Sequence, residues 1–487
     1  MKRKNSIFLT EPIIKLYSRG ITLFSAVLFV HFGMKTHHQI YSFGIKHLIY
    51  ADGDFASAYC LKNELNFIEK IIMKRMENIK NFSDYFEAKA MNCFQRHLKL
   101  VKTLEKKYSS NNRSFTILEL EQDYTNFTNL LNKAQAHIWF IFFNDAVIAP
   151  IFSKKFRPLL QKEKLPITDD EFFKVISTPL KKTGVINERI ELLKLVINRA
   201  RGKDIHELLV RHTNKWRWFP CYNPSDKPYT IDHYKKEIEQ MSYKNAKEEL
   251  SKIITKQKKD TQQYNKIVSL VKNKELKRLI KFVNKISFYR EFRNDVRREG
   301  MCRVSPLFKR IGSKVGLSVK EVCYLTPNEV VSTIKRRNVL DKAVIRQRMK
   351  GYIVVGDQKD FEIITGGRIK KFVKVLLPKS EATELRGIAA NNGRVTGHAF
   401  VITNLDKLNK IRKGDILVAS MTAPEYVVAM RKARAVVTDE GGLMSHAAII
   451  SRELGIPCVV GTKIATSIFH DRDLIEVDAN KGTVKKL

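Results

Sequence analysis

The sequence predicts an α+β chain of several domains, with a large, mainly helical N-terminal region followed by a C-terminal α/β domain. Three observations predict it. Long stretches of the first 350 residues carry apolar side chains at spacings of three and four, with little Gly or Pro. From about residue 351 short β-type runs punctuated by glycine replace them. The charge also breaks. Of a formal +39, residues 381–487 hold only +3, from 15 Lys+Arg against 12 Asp+Glu, which leaves +36 on residues 1–380. A chain of 487 residues has room for two to four domains with substantial cores. The boundaries that follow are a helical region at 1–350, a β-hairpin connector at 351–380 and an α/β domain at 381–487.

The elements follow in order. Ile21–Phe32 is an apolar run too short to span a bilayer, preceded by Arg19 and interrupted by His31, so it reads as a buried helix. A secretory leader is disfavoured because Glu11, Lys15 and Arg19 break it and no Ala-x-Ala site follows. The patterns over Glu64–Ser109 and Leu118–Ile151 are helical. Trp216-Arg-Trp-Phe-Pro-Cys-Tyr-Asn-Pro224 is an aromatic loop, suited to walling a ligand pocket, although anchoring in a bundle core is the commoner outcome. From Asn245 to Glu299, Leu250, Ile253, Ile267, Val271, Leu279 and Val283 mark one amphipathic helix or a broken pair. Within Arg290–Gly300, Arg290, Asn294 and Arg297 share one helix face, and Glu291, Asp295 and Arg298 another. That pattern suits a solvated salt-bridged face or a phosphate-binding one. Tyr352–Val355 and Phe361–Thr365, with Gly366-Gly367 after them, predict the hairpin. Thr422-Ala-Pro-Glu425 reads as a capping box with Thr422 at the N-cap. Finally, the β-type runs Arg434–Thr438 and Pro457–Gly461 flank a short helix that starts at His446 and stops at Gly455.

Composition narrows the function classes. So basic a surface suits nucleic acid, anionic membrane or phosphorylated ligands. Lysines solvating helix faces account for it more simply, because no RNA-binding motif or stacking-aromatic pattern accompanies the charge. The six cysteines are scattered without a CxxC pair or histidines at metal spacing. A reduced, cytoplasmic protein with no metal site and no transmembrane segment is the expectation.

The chemistry concentrates at Val437-Thr-Asp-Glu-Gly-Gly-Leu-Met-Ser-His446. His446 stands after a Gly-Gly turn at the mouth of a helix, among unpaired backbone N–H groups and the positive end of the macrodipole. That setting favours an anionic group on the imidazole and disfavours protonation of the ring, so neutral, nucleophilic imidazole predominates, which suits phosphoryl carriage on nitrogen. Gly441 and Gly442 permit close approach of a phosphate to backbone. Ser445 and Thr438 offer hydroxyls, Arg452 a neutralising charge, and the helix start at Thr422 a second anion site.

Gly441–Arg452 resembles the phosphohistidine signature of the phosphoenolpyruvate-utilizing enzymes, among them phosphoenolpyruvate synthase, pyruvate phosphate dikinase, enzyme I of the sugar phosphotransferase system and the rifampin phosphotransferases. Gly387–Ile402, Lys413–Ala419 and Asp473–Asp478 resemble other parts of the same mobile domain, so the likeness covers about 100 residues in family order. Met444, two positions before the histidine, replaces the hydroxyl residue of many dikinases, so their regulation is not implied; the likeness is nearer to the rifampin phosphotransferase and synthase-like branch. Gly316–Glu329 loosely resembles the helical linker or substrate domain of rifampin phosphotransferase-like proteins. The resemblance implies a swivelling phosphohistidine domain, with His446 as the carrier. It also implies an ATP-grasp domain as donor. Residues 1–380 show no Gly-rich nucleotide loop, and no (β/α)8 barrel is read in the chain. The expectation is therefore a phosphotransfer component that binds no cofactor itself, with ATP and Mg on a separate ATP-grasp subunit and an unidentified small-molecule acceptor. The competing class is a non-catalytic scaffold or polyanion-binding protein, such as a nucleic-acid binder, that keeps the histidine-domain fold.

Overall fold

The computed structural model describes residues 7–53, 55–76, 79–110, 113–146, 154, 156–335, 340–376, 383–402, 405–422, 426–442 and 445–487. By contacts the chain divides into two units. One comprises residues 1–26, 45–64 and 342–487, and the other 27–44 and 65–341. That division differs from the linear boundaries at 350 and 380, because strands near the N-terminus pair with the hairpin after residue 350.

Those strands depart from the helical reading of residues 1–350. They are β1 (Ile13–Gly20), β2 (His47–Asp52) and β3 (Phe55–Leu61), and β4 (Gly351–Gly356) and β5 (Phe361–Thr365) complete an antiparallel sheet in the order β1-β3-β2-β4-β5. The expected hairpin is present, yet it is no connector. β4 lies against β2 in the register His47↔Gly356 to Asp52↔Gly351. Asp52-Gly53 between two short apolar runs is a hairpin signal that the sequence did carry. β4 stands some three hundred residues from β2, so nothing local announced that this hairpin joins the later one. On one face Leu48, Tyr59, Ile353, Val355 and Ile364 alternate inward and pack under Phe8, Phe372 and Leu376 from the helices Ile7–Thr10 and Ile369–Leu376.

The rest of this unit is a mixed eight-stranded sheet. Its strands are β6 (Glu384–Arg386), β7 (Ile388–Asn391), β8 (Arg394–Ile402), β9 (Ile416–Ala419), β10 (Ala435–Thr438), β11 (Cys458–Val460), β12 (Leu474–Asp478) and β13 (Thr483–Lys486). The order is β6-β13-β12-β8-β9-β10-β11-β7, with β8, β9, β10 and β11 parallel to one another. β9 and β10 are buried along their whole length, as parallel strands covered on both faces must be. Ile416, Val418, Ala435 and Val437 face one core, and Leu417, Ala419 and Val436 the other.

The other unit is helical, and its described residues include no strand. The predicted patterns appear as Lys62–Met76 with Ile79–Ser109, and as Ile117–Ala146. Residues 147–151 of the second pattern lie outside the described residues. The pattern over Asn245–Glu299 is a broken pair. Tyr243–Leu270 ends, and Lys274–Val315 begins at an N-cap where Asn273 accepts a hydrogen bond from Leu276 N at 2.9 Å. The apolar run Ile21–Phe32 is indeed buried helix, Leu23–Val27 continuing in a π-turn over Leu28–Phe32. Trp216 and Trp218 of the aromatic loop belong to a core with Leu193, Val196, Tyr234 and Cys302, so the loop is an anchor. Within Gly316–Glu329 a helix starts at a capping box, with Thr326 and Glu329 reciprocally bonded.

The solvated-face reading of Arg290–Gly300 is overturned. Arg293, Arg297 and Arg298 are all buried. Arg298 donates to the Tyr222 hydroxyl, and the Arg297 guanidinium lies 4.4 Å from the Phe29 ring centroid. Burial pushes the Asp295 carboxyl up to about 7, against the pull of Arg298.

Candidate phosphohistidine site

The site forms where the parallel strands β9 and β10 end, the usual position for a site in an open α/β sheet. Beyond β10 the chain runs through Asp439 and Glu440 into Gly441-Gly442. The ladder is prolonged by Asp439 N to Ala419 O at 3.1 Å and Glu440 N to Ser420 O at 2.9 Å. Gly441 adopts φ +112°, and a Cβ there would lie 2.8 Å from Ser445 Cβ. Only glycine fits. Leu443 and Met444 lie outside the described residues. The turn delivers Ser445 as the N-cap of the helix His446–Leu454, its hydroxyl oxygen accepting from Ala448 N at 3.3 Å. Ala447 and Ala448 bury themselves against Val436 and Val460, and Gly455 closes the helix in the left-handed region at φ +68°. Packing by Ala447 and Ala448 thus holds His446 at the rim, half-buried.

The imidazole is oriented by a residue from the neighbouring strand end. Thr422 Oγ1 lies 2.8 Å from His446 Nδ1. Thr422 is itself buried, three residues beyond β9. The capping box expected of Thr422 and Glu425 lies outside the described residues, since Glu425 is not among them. The helix that follows is Val427–Met430 with Tyr426 at its N-cap.

The other expected site residues separate into two groups. Gly441, Gly442 and Ser445 form the turn into the histidine helix. Thr438 and Arg452 are placed elsewhere. Thr438 is fully buried, and its hydroxyl donates to Glu440 O at 2.7 Å, which braces the turn and does not face its rim. Arg452 is six residues along the helix, about 9 Å down its axis from His446. Its Nε donates to Ala390 O of β7 at 2.9 Å, tying the helix to the sheet edge. No group of three metal-ligating side chains occurs among the described residues.

Sequence reasoning missed Ser420, Asp439 and Glu440 as a cluster. Ser420 Oγ donates to Glu440 Oε1 at 2.9 Å, and Asp439 accepts from Thr466 N at 2.9 Å. Burial raises both carboxyls above the ordinary range, opposed by a nearby ammonium. Asp-Glu before Gly-Gly was the available signal, since two acids beside a buried strand need partners.

Comparison with known proteins agrees with this geometry. The PEP-utilising enzyme mobile-domain family matches residues 411–482, which contain β9 to β12 and the histidine helix. A probable phosphoenolpyruvate synthase of Archaeoglobus fulgidus is 42% identical over 146 residues, 26% of this chain and 19% of that protein. The phosphoenolpyruvate synthase of Pyrococcus furiosus is 51% identical over 102 residues, 21% of this chain and 12% of that protein. An uncharacterized phosphotransferase of Bacillus subtilis, YvkC, is 42% identical over 106 residues, 22% of this chain and 13% of that protein. The chain thus spans less than a fifth of the length of these relatives. The C-terminal part of this chain, with the His446 turn within it, is a mobile domain of the PEP-utilising enzyme family.

Proposed function

We propose that this chain is a phosphotransfer component that carries a phosphoryl group on His446. The observation that carries the reading is the 2.8 Å contact between Thr422 Oγ1 and His446 Nδ1 at a glycine-opened helix mouth. With the ring proton on Nδ1 and donated to Thr422, the Nε2 lone pair is the nucleophile. Nε2 attacks the phosphorus of the donor, the N–P bond forms, and the P–O bond to the leaving group breaks with its electron pair. The helix N-terminus favours the dianionic group so bound. Swivelling of the domain then presents the N–P bond to an acceptor, whose oxygen takes the phosphoryl group and restores the imidazole.

The donor in this reading is a separate ATP-grasp protein that holds ATP and Mg. The helical unit supports it, since its described residues build no sheet on which such a nucleotide fold would rest. Six free cysteines suit a reducing compartment, and no helix among the described residues is long and apolar enough to cross a membrane. A cytoplasmic location is part of this proposal. The test is labelling by ATP carrying 32P at the β or γ position. The chain alone stays unlabelled, and adding an ATP-grasp protein from a neighbouring gene produces an acid-labile, base-stable label on His446. Robust self-labelling overturns the separate donor. Salt-sensitive retention on nucleic acid with no phosphorylation by any donor overturns the carrier in favour of a polyanion-binding scaffold.

A further inference from the structure

We propose that Lys15, on strand β1 and outside the matched residues 411–482, is a positioning residue for His446, acting through Ser420 and Glu440. The inference rests on the carrier reading of His446 and adds a part of the site that belongs to the N-terminal sheet.

Lys15 Nζ donates to Ser420 Oγ at 2.6 Å, across 405 residues of sequence, and lies 3.3 Å from Glu440 Oε1 and 3.8 Å from Asp439 Oδ2. The lysine side chain is 19% exposed, that of Glu440 10% and that of Asp439 1%. This is a desolvated ion cluster, where loss of one partner leaves an uncompensated buried charge, and not a screened surface pair. β1 aims the lysine there through a bulge between Lys15 and Tyr17, which breaks the ladder register with β3. The register partner of Lys15 is Tyr59. Its hydroxyl is pushed up by burial and further by the charges of Glu440 and Asp439.

The cluster sits at the root of both arms of the site. Ser420 is two residues before Thr422, which orients the imidazole, and Glu440 directly precedes Gly441, which begins the turn to Ser445 and His446. Ser420 Oγ joins the arms by donating to Glu440 Oε1. Lys15 closes this link with one cation against two carboxylates. Without it, repulsion between the acids and the loss of the Ser420 bond let the two strand ends part, and the Thr422 contact to Nδ1 lengthens.

The test uses the full chain and phosphoramidate, a small donor whose P–N bond breaks as the Nε2–P bond forms and ammonia leaves. Lys15→Met slows phosphorylation of His446 about tenfold or more and moves the acid limb of the pH–rate profile to higher pH. The direction follows because the titratable groups around the cluster are Lys15 from β1, Tyr59 from β3 and the two acids themselves; Lys15 is the charge that holds both carboxyls down, beside the hydrogen bonds from Ser420 to Glu440 and from Thr466 and Ala465 to Asp439. Lys15→Arg recovers most of the loss. In parallel, the ring 15N resonances of His446, assigned by comparison with His446→Gln, move in Lys15→Met. If Lys15→Met melts too early, Glu440→Gln with and without Lys15→Met isolates the bond to Ser420, and the same displacement is expected between those two. An unchanged rate, pH profile and ring resonance in Lys15→Met overturns the proposal. If His446 of the wild type accepts no phosphoryl group from any donor, the carrier reading falls, and the ring resonances still decide whether Lys15 positions the imidazole.

Discussion

The two units bury ionisable side chains in opposite ways. In the helical unit His37, His97 and His137 lie inside the core, and Asp295 is half-buried near Arg298. Burial holds His37 down to about 3 and His97 and His137 to about 4, and lifts Asp295 to about 7. In the other unit Asp439, Glu440 and His446 stand where parallel strands end. There backbone N–H groups, serine and threonine hydroxyls and one lysine answer them. Long packed helices have their backbone donors spent on themselves, so these three histidines meet mostly apolar neighbours and stay neutral. Strand ends leave backbone groups unspent and place loops side by side, so charge can be kept and aimed.

The sharpest break in that contrast is at His446. His446→Ala should abolish labelling, at least about a thousandfold below wild type, and move stability by less than about 1 kcal/mol, because a rim histidine contributes little packing. Thermal melts run beside the labelling assay check both halves. A loss of several kcal/mol, with no donor ever labelling the wild type, would make the histidine a structural group instead. Thr422→Val should slow labelling about 10- to 100-fold, since it removes the partner that fixes the tautomer, whereas Thr422→Ser should stay near wild type.

The buried histidines sharpen the other side. A histidine whose folded pKa lies below its unfolded 6.5 binds more protons unfolded, so its stabilising contribution is present above pH 6.5 and is lost as pH falls toward 4. Asp295 acts in the opposite direction, its raised carboxyl favouring the folded state as pH falls from 7 toward 4. Three histidines outweigh one aspartate, and the helical unit should lose on the order of a few kcal/mol between pH 7 and 4. The three tryptophans of the chain, Trp139, Trp216 and Trp218, all lie in that unit, so their fluorescence in thermal melts follows it alone. Melting that is flat with pH would show these histidines to be solvated. The smallest effect belongs to Arg452→Ala. It should cost about 1 kcal/mol through the lost bond to Ala390 and alter labelling by less than about threefold. A larger loss of rate with no loss of stability would return the arginine to the reacting phosphate.

Much of this was legible locally. The helical patterns, the hairpin after residue 350, the strand–turn–helix around His446 and the glycine stop at Gly455 all follow from periodicity, capping and turn chemistry, which act within a few residues. The Gly441 turn and the Ser445 cap belong to the same class. The first three strands were not read, although Asp52-Gly53 marks the β2–β3 hairpin, because their short runs carry no decisive period and the partner of β2 on its other side, β4, is three hundred residues distant. The partners that Thr438 and Arg452 take were not legible for a related reason. A motif names residue types at a spacing, but whether a hydroxyl or guanidinium reaches the rim depends on which strand its helix packs against.

The sequence by itself determined the kind of chemistry, since a histidine after Gly-Gly at a helix mouth has one electrostatic setting wherever it folds. It also determined which half of the chain holds it. Only the tertiary structure decided what surrounds that ring. Thr422 meets Nδ1 because β9 and β10 are neighbours, and Lys15 meets Glu440 because a bulged N-terminal strand is paired into a sheet whose far strands lie beyond residue 350. Hydrogen bonds and ion pairs act over about 3 Å in space, and chain separation carries no record of which distant groups will be brought that close.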